Sequence, residues 1–123
     1  MRVFKFGGAS VKDAEGVINV VKVLNEMGHE DTLVVVSAMG KSTNAFEGVV
    51  DAYFEDPDSY KAALHDIEMF HQEIVEELFN GAHGPVAERV KNLCAQCEIF
   101  LANNRSPHNA FVYDQVVSFG ELL

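Results

Sequence analysis

The segment Lys5–Ser10 (KFGGAS) is the first place where the chain carries residues suited to chemistry. It lies between a short run of β-type residues and a helical pattern, and therefore at the carboxyl end of a predicted strand. Glycine lets the backbone approach a bound group, free amides at a helix start attract anions, and Lys5 adds a positive charge. The segment predicts a phosphate-binding loop; a tight turn that simply requires glycine is the alternative.

The segment Ser37–Asn44 (SAMGKSTN) also follows a predicted strand and leads into a helix. Ligands of open α/β sheets bind at the carboxyl ends of the strands, so both segments are expected to open onto one crevice. The letters GKS suggest a P-loop, but that motif needs glycine where this chain has Val35. Ser37 and Thr43 are left as hydroxyls for a small polar substrate, or as helix caps.

The segment Ser118–Glu121 (SFGE) places a carboxylate on an otherwise apolar helix. Burying that carboxylate unpaired is costly, so Glu121 is a candidate partner for a substrate ammonium. The alternative is a solvated glutamate, the usual state of this residue type.

Other clusters predict structure rather than chemistry. Cys94 and Cys97 lie on an apolar helical stripe and are expected to pack in the core. His65, Glu68 and His71 share a helix, but the further ligands that a di-metal bundle needs are not evident. No metal site in the protein is therefore predicted.

Composition narrows the class of protein. The 123 residues are 48% hydrophobic with a formal net charge of −10, which fits one globular domain and argues against nucleic-acid binding. Ten carboxylates and one lysine between positions 45 and 80 predict a solvated acidic surface. The start lacks signal-peptide features, no apolar run is long enough to span a bilayer, and two cysteines make no disulfide framework. A soluble cytoplasmic protein without a membrane partner is expected.

The periodicity predicts an α/β fold with a parallel strand–helix–strand unit. Thr32–Val36 is a continuous β-branched run, typical of a parallel strand covered on both faces. The apolar spacing predicts strands at 2–6 and 32–36 and helices at 12–27, 43–54, from Pro57 to 80, from Pro85, and from near Asp114.

Two strands are too few for a stable parallel sheet. The last helix also lacks a stop signal, so a truncated piece of a larger domain is expected. A helical domain with a small β element is the alternative.

Taken together, the segments resemble the amino-terminal part of the aspartate kinases of the amino-acid-kinase family. The resemblance rests on Lys5–Val11, on Val35–Gly40 with Thr43–Asn44, and on Ser118–Glu121. One departure is Ala9, where the family usually has threonine, so a hydroxyl is lost from the predicted phosphate loop.

The resemblance implies that residues 1–123 form an incomplete parallel-sheet α/β sandwich of amino-acid-kinase type with a helical insert. It implies transfer of the γ-phosphoryl of ATP, with Mg²⁺, to the side-chain carboxylate of L-aspartate, the first step towards lysine, threonine and methionine. By the same resemblance the nucleotide site comprises Lys5 (also catalytic), Phe6, Gly7, Gly8 and Ser10, and the aspartate site comprises Ser37, Thr43 and Glu121.

The missing later motifs imply that the 123 residues alone are inactive, and a homo-oligomer is left open. Two other functions also remain open. One is a related kinase acting on another amino acid or on carbamate, and the other is a non-catalytic anion-binding or interaction module.

Overall fold

The computed structural model describes residues 1–81 and 83–123 as two strands and five helices. They are β1 (Arg2–Phe6), α1 (Ala14–Met27), β2 (Thr32–Val36), α2 (Ser42–Glu55), α3 (Tyr60–Phe79), α4 (Pro85–Asn103) and α5 (Asn109–Leu122). The fold is mixed and rich in helix, which is compatible with the predicted α/β class. No helix in these two ranges is both long and apolar enough to cross a membrane.

The two strands pair in parallel, with α1 as the connection between them. The register runs from Arg2 opposite Thr32 to Phe6 opposite Val36, which confirms the predicted strand–helix–strand unit. The Arg2 guanidinium donates hydrogen bonds to the carbonyls of Met27, at 2.9 Å, and Gly28, at 3.1 Å. These bonds tie the start of β1 to the end of α1.

The main core lies among the last four helices. The apolar spacing that predicted a helix at 43–54 marks its inward face, because Phe46 and Val49 are fully buried and Val50 nearly so. The stripe on α3 and the two cysteines of α4 also face inward. The cluster comprises Phe46, Val49, Val50, Tyr60, Leu64, Ile67, Cys97, Leu101, Val112 and Val116.

The strands, by contrast, are open to solvent. Leu33 and Val36 are 50% and 47% exposed, so the prediction of a strand covered on both faces is wrong for the residues described. Val21, which follows the helical spacing of one apolar face of α1 together with Val17 and Val20, is also exposed. The apolar sequence of β2 indicates a strand that could be buried, yet four of its five residues are exposed.

Two helix starts differ from the predictions. Pro57 lies in a turn rather than at the first helical position: Ser59 bonds back to the Asp56 carbonyl through its amide, at 2.9 Å, and its hydroxyl, at 2.8 Å. α3 therefore begins at Tyr60. α5 begins at Asn109 rather than near Asp114, because the fully buried Val112 belongs to its core-facing side.

Candidate functional site

The loop after β1 makes a turn before α1 begins. The amides of Ser10 and Val11 donate to the carbonyls of Gly7, at 3.0 Å, and Gly8, at 3.3 Å. Asp13, rather than Ser10, caps α1 by accepting a hydrogen bond from the Gly16 amide at 2.8 Å. The expectation that free amides at the helix start face an anion is therefore wrong for the Gly16 amide, which has its own carboxylate partner.

The two glycines of this loop have different surroundings. A methyl group added at Gly8 would lie 2.8 Å from the Gly40 carbonyl oxygen and 3.3 Å from that of Ala38. The Gly40 amide also donates to the Gly8 carbonyl at 3.2 Å. Gly7 has open space where a methyl would point. Gly8 thus holds the two loops together at one end of the strand pair, as the parallel arrangement predicted, while Gly7 is left accessible.

The loop after β2 is tightly folded by its own hydrogen bonds. The buried Ser42 donates to the Met39 carbonyl through both its amide and its hydroxyl, and Gly40 adopts a positive φ of 57°. α2 begins without a side-chain hydrogen bond at its cap position, so neither Ser37 nor Thr43 serves as its cap. Instead, the half-buried Ser37 donates through its hydroxyl to the Ala38 carbonyl at 3.2 Å.

Ser37 and Glu121 line a common cavity of about 310 Å³. Gly120 of α5 is buried beside Phe46 and the second loop. A methyl group there would lie at ordinary van der Waals distance, 3.4 Å from Phe46 Cδ2 and 3.7 Å from Ala38 Cβ. The rest of the wall is mainly apolar and comprises Val11, Val17, Val20, Val21, Val36, Met39, Leu122 and Leu123. Glu121 is exposed, as the alternative of a solvated glutamate predicted, so its carboxylate lies at the open side of this hollow. An accessible carboxylate and a hydroxyl beside apolar atoms suit a small ligand carrying an ammonium group.

Of the eight predicted site residues, Ser37 and Glu121 line this cavity and the other six do not. Lys5 is exposed and pairs with Val35, so strand alternation puts it on the other face from Val36, which lines the cavity. Thr43, half-buried in the first turn of α2, does not line the cavity either. The structure brings Ser37 and Glu121 together, and joins Gly8 to Gly40, but does not gather all the predicted residues around one cavity.

Asp13 caps α1, and this cap had a sequence signal, a carboxylate just before a helical pattern. Sequence reasoning missed the packing roles of two glycines that shape the site: the Gly40 amide bonds to the first loop, and Gly120 packs beside Ala38. The packing roles of the two glycines depend on residues distant in sequence, so local pattern gave no sign of them.

Histidine and cysteine side chains of α3 and α4 behave as structural groups. Across the two described ranges, no group of three or more His, Cys, Asp or Glu side chains is placed to hold a metal ion. Burial raises the pKa of Cys94 to about 11 and that of Cys97 to about 12. Thiols this far from ionising at neutral pH are poor nucleophiles and metal ligands, in line with the predicted packing role.

The fold and site define a mixed α/β protein whose loops meet at the carboxyl ends of two parallel strands. No protein-family model matches the chain. It is 32% identical over 130 residues to Aspartokinase 3, chloroplastic, of Arabidopsis thaliana, covering 98% of this chain and 22% of that protein. It is 30% identical over 126 residues to Bifunctional aspartokinase/homoserine dehydrogenase 1, chloroplastic, of the same plant, covering 98% of this chain and 14% of that protein.

A carrot (Daucus carota) protein, Bifunctional aspartokinase/homoserine dehydrogenase, chloroplastic, is 36% identical over 70 residues, covering 57% of this chain and 8% of that protein. The chain is therefore related to the aspartokinases, which confirms the resemblance carried by its three segments. It spans less than a quarter of the length of these relatives.

Proposed function

We propose that the chain supplies part of the catalytic unit of an aspartate kinase. The reaction transfers the γ-phosphoryl of ATP to the side-chain carboxylate of L-aspartate and gives 4-phospho-L-aspartate. The observation that carries the proposal is the contact between the two loops, in which Gly40 donates to the Gly8 carbonyl at 3.2 Å. This contact sets a glycine loop beside a serine- and threonine-bearing loop, in a relative of the aspartokinases.

The first loop has the donors that a nucleotide phosphate requires. Among the described residues, the amides of Gly7, Gly8 and Ala9 have no backbone acceptor, and Gly7 faces open space. Successive free amides form an anion-binding concavity. Lys5 is exposed and forms no ion pair within the described ranges, so its ammonium is available to the same phosphates. Phe6 and Ser10 flank this loop and complete the proposed nucleotide site.

Magnesium fits this proposal as a companion of the nucleotide. Among the described residues, no cluster of three or more His, Cys, Asp or Glu side chains could hold a metal ion without the nucleotide. Mg²⁺ commonly keeps several waters while binding substrate phosphates. When bound, it supplies positive charge against the phosphoryl oxygens. The chain's own contribution is the loop amides and Lys5.

The second loop and α5 supply the proposed aspartate site. The Glu121 carboxylate pairs with the substrate ammonium, Thr43 hydrogen-bonds a substrate oxygen from the start of α2, and Ser37 contacts the substrate. The shared cavity of Ser37 and Glu121 supports the roles of those two residues. Gly7 and Ala9 do not line that cavity, which suits a carboxylate that must avoid repulsion by the nucleotide phosphates.

The proposed reaction requires alignment of the two substrates and stabilisation of negative charge. The attacking carboxylate has an ordinary pKa of about 3.9 and is already ionised at neutral pH, so no general base is needed. What the site must do is bring two anions together and stabilise charge on the transferring phosphoryl group. A lysine and preorganised amides perform that electrostatic work.

The exposed surface of the chain is large for its mass. The chain exposes 7869 Å² of surface, whereas about 6,600 Å² is typical of a compact monomer of this mass. Much of the apolar exposure lies on β2 and α1. We therefore propose that residues 1–123 are part of a kinase domain of amino-acid-kinase type, in which further strands or another copy cover this surface.

The cytoplasm is the location that the sequence favours, and the relatives described above are named chloroplastic. A fluorescent fusion of the protein at its natural length, imaged in its own cells, distinguishes the two.

A coupled ATP assay on the protein at its natural length tests the proposal, with hydroxylamine trapping of the acyl phosphate as the product-specific readout. Lys5→Met should lower kcat by about 100-fold, whereas Glu121→Gln should raise the KM for aspartate by about tenfold or more. Glu77→Gln, an exposed change on α3, is the control.

Three outcomes decide against parts of the proposal. Anion binding without a trapped hydroxamate would indicate a binding module. Trapping with another carboxylate but not with aspartate would indicate a related kinase. Normal turnover by the 123 residues alone would contradict their role as one part of a larger catalytic domain.

A further inference from the structure

A second cavity, of about 370 Å³, lies between the start of α2 and the middle of α3. It shares no lining residue with the cavity of Ser37 and Glu121. Its lining comprises Lys41, Ser42, Ala45, Ala63, Asp66, Ile67 and Phe70. The proposed kinase reaction uses none of these side chains.

The cavity combines an apolar wall with two opposite charges. Ile67 is buried in the core, and the Phe70 ring forms part of the wall. Lys41 and Asp66 are exposed, and in the described ranges neither forms an ion pair, with the other or with any third residue. The Ser42 hydroxyl is engaged with the Met39 carbonyl. A cation and an anion are therefore free to meet a ligand at the edge of an apolar hollow.

We propose that this cavity binds a free α-amino acid with an apolar side chain. Lys41 pairs with the ligand carboxylate, Asp66 pairs with its ammonium, and the side chain packs against Ile67 and Phe70. The volume lies at the small end of the range for ligand sites, which suits a single amino acid better than a nucleotide. Aspartate is disfavoured here, because its second carboxylate would lie unpaired against apolar atoms.

The site has a direct physical connection to the two loops. A methyl group at Gly40 would lie 3.6 Å from Phe70 Cζ, so the ring packs beside the backbone that bonds to Gly8. A ligand that packs against Phe70 should therefore change the environment of Gly40 and Gly8 without touching Ser37 or Glu121.

Titration of ¹⁵N-labelled protein with L-leucine, followed by NMR, tests this assignment in the absence of ATP and aspartate. We expect shifts at Ala45, Ala63, Ile67 and Phe70, smaller shifts at Gly40, and a Kd on the order of 1 mM. 4-Methylpentanoate, which lacks the ammonium, and 3-methylbutylamine, which lacks the carboxylate, should each bind more weakly than leucine.

Paired variants make the test specific. Lys41→Gln and Asp66→Asn should each weaken leucine binding by about two- to fivefold, the contribution of an exposed ion pair. Lys91→Gln and Glu98→Gln, exposed changes on α4, should leave it unchanged. No shifts at about 20 mM leucine would overturn the proposal. So would equal binding by all four variants, or shifts confined to Ser37 and Glu121. These results bear on the second cavity alone, since the kinase assay is a separate measurement.

Discussion

The helical region (α2 to α5) and the strand region (β1–α1–β2) differ in how far their apolar side chains are buried. In the helical region, Phe46, Val49 and Val112 have no exposed surface. In the strand region, Val3 and Ile18 are more than half exposed, although the sequence there is just as apolar. The contrast is one of degree, because Val20 is buried in the strand region and Ile99 is exposed in the helical region. Neither strand has a buried residue, whereas all four helices of the helical region do.

This difference indicates where the stability of the chain resides. Burial contributes about 25 cal/mol per Å² of apolar surface removed from water, so the helices supply most of the folding free energy. The site loops lie where the regions meet, at the contacts of Gly8 with Gly40 and of Ala38 with Gly120. A well-packed helical body therefore positions the loops of a sparsely packed strand unit.

The largest expected effect comes from removing a buried ring. Phe46→Ala should lower the free energy of unfolding by about 3–5 kcal/mol, because it opens a cavity in the core of the helical region. Phe4→Ala, the matched change on half-buried β1, should cost about 1 kcal/mol or less, since its site remains open to water. Urea unfolding followed by circular dichroism measures both. Similar costs for the two variants would contradict the comparison.

Glycine substitutions test the contact between the regions. Gly8→Ala should lower the free energy of unfolding by about 1–3 kcal/mol, because its methyl group meets the Gly40 carbonyl and the backbone must shift. Gly7→Ala, with open space around the new methyl, is the neighbouring control. NMR should show the Gly40 amide shifted in the Gly8 variant alone. If Gly7→Ala costs as much as Gly8→Ala, the close approach of the loops is not the reason.

The helical region was the more predictable from sequence. Apolar residues at helical spacing specify which face packs inward, and Phe46, Leu64 and Ile67 lie where that spacing puts them. The start of α5 was missed because Asp114 has the composition of a cap, while the buried Val112 extends the helix in tertiary context.

The strand region and the site were predictable only in part. Parallel pairing followed from chain connectivity, and with it the adjacency of the two loops. The exposure of β2 could not be predicted, because the apolar sequence of a strand does not specify which other residues pack against it. The division of roles between Gly7 and Gly8 depends on the Gly40 carbonyl, a contact that local sequence does not encode.

Lowering the pH should decrease the free energy of unfolding through His71, a buried residue of the helical region. This ring is buried, and its Nδ1–H donates to the Ile67 carbonyl at 2.8 Å, while Nε2 has no partner among the described residues. Burial lowers the pKa of His71 below its ordinary 6.5, although the hydrogen bond to Ile67 raises it in part. The unfolded chain then takes up the proton first, so stability is full above pH 6.5 and falls as the pH drops towards the folded-state pKa.

Urea midpoints at about pH 8 and about pH 5 measure this dependence. The difference between them should shrink in His71→Leu and persist in His65→Leu, an exposed position on the same helix. An unchanged difference in His71→Leu would show that other groups, such as the many carboxylates, cause the acid sensitivity.

The smallest effect should come from the open face of β2. Leu33→Thr should change the free energy of unfolding by about 0.5 kcal/mol or less, because half of this side chain is already in water and threonine suits a strand. The matched change in the helical region, Val49→Thr, puts a hydroxyl into a fully buried site and should cost about 1–3 kcal/mol. If Leu33→Thr proves as costly as Val49→Thr in the protein at its natural length, but not in the 123 residues alone, a partner surface covers β2 in the longer protein. If it is costly in the 123 residues alone, the strand region is not as open as its exposure indicates.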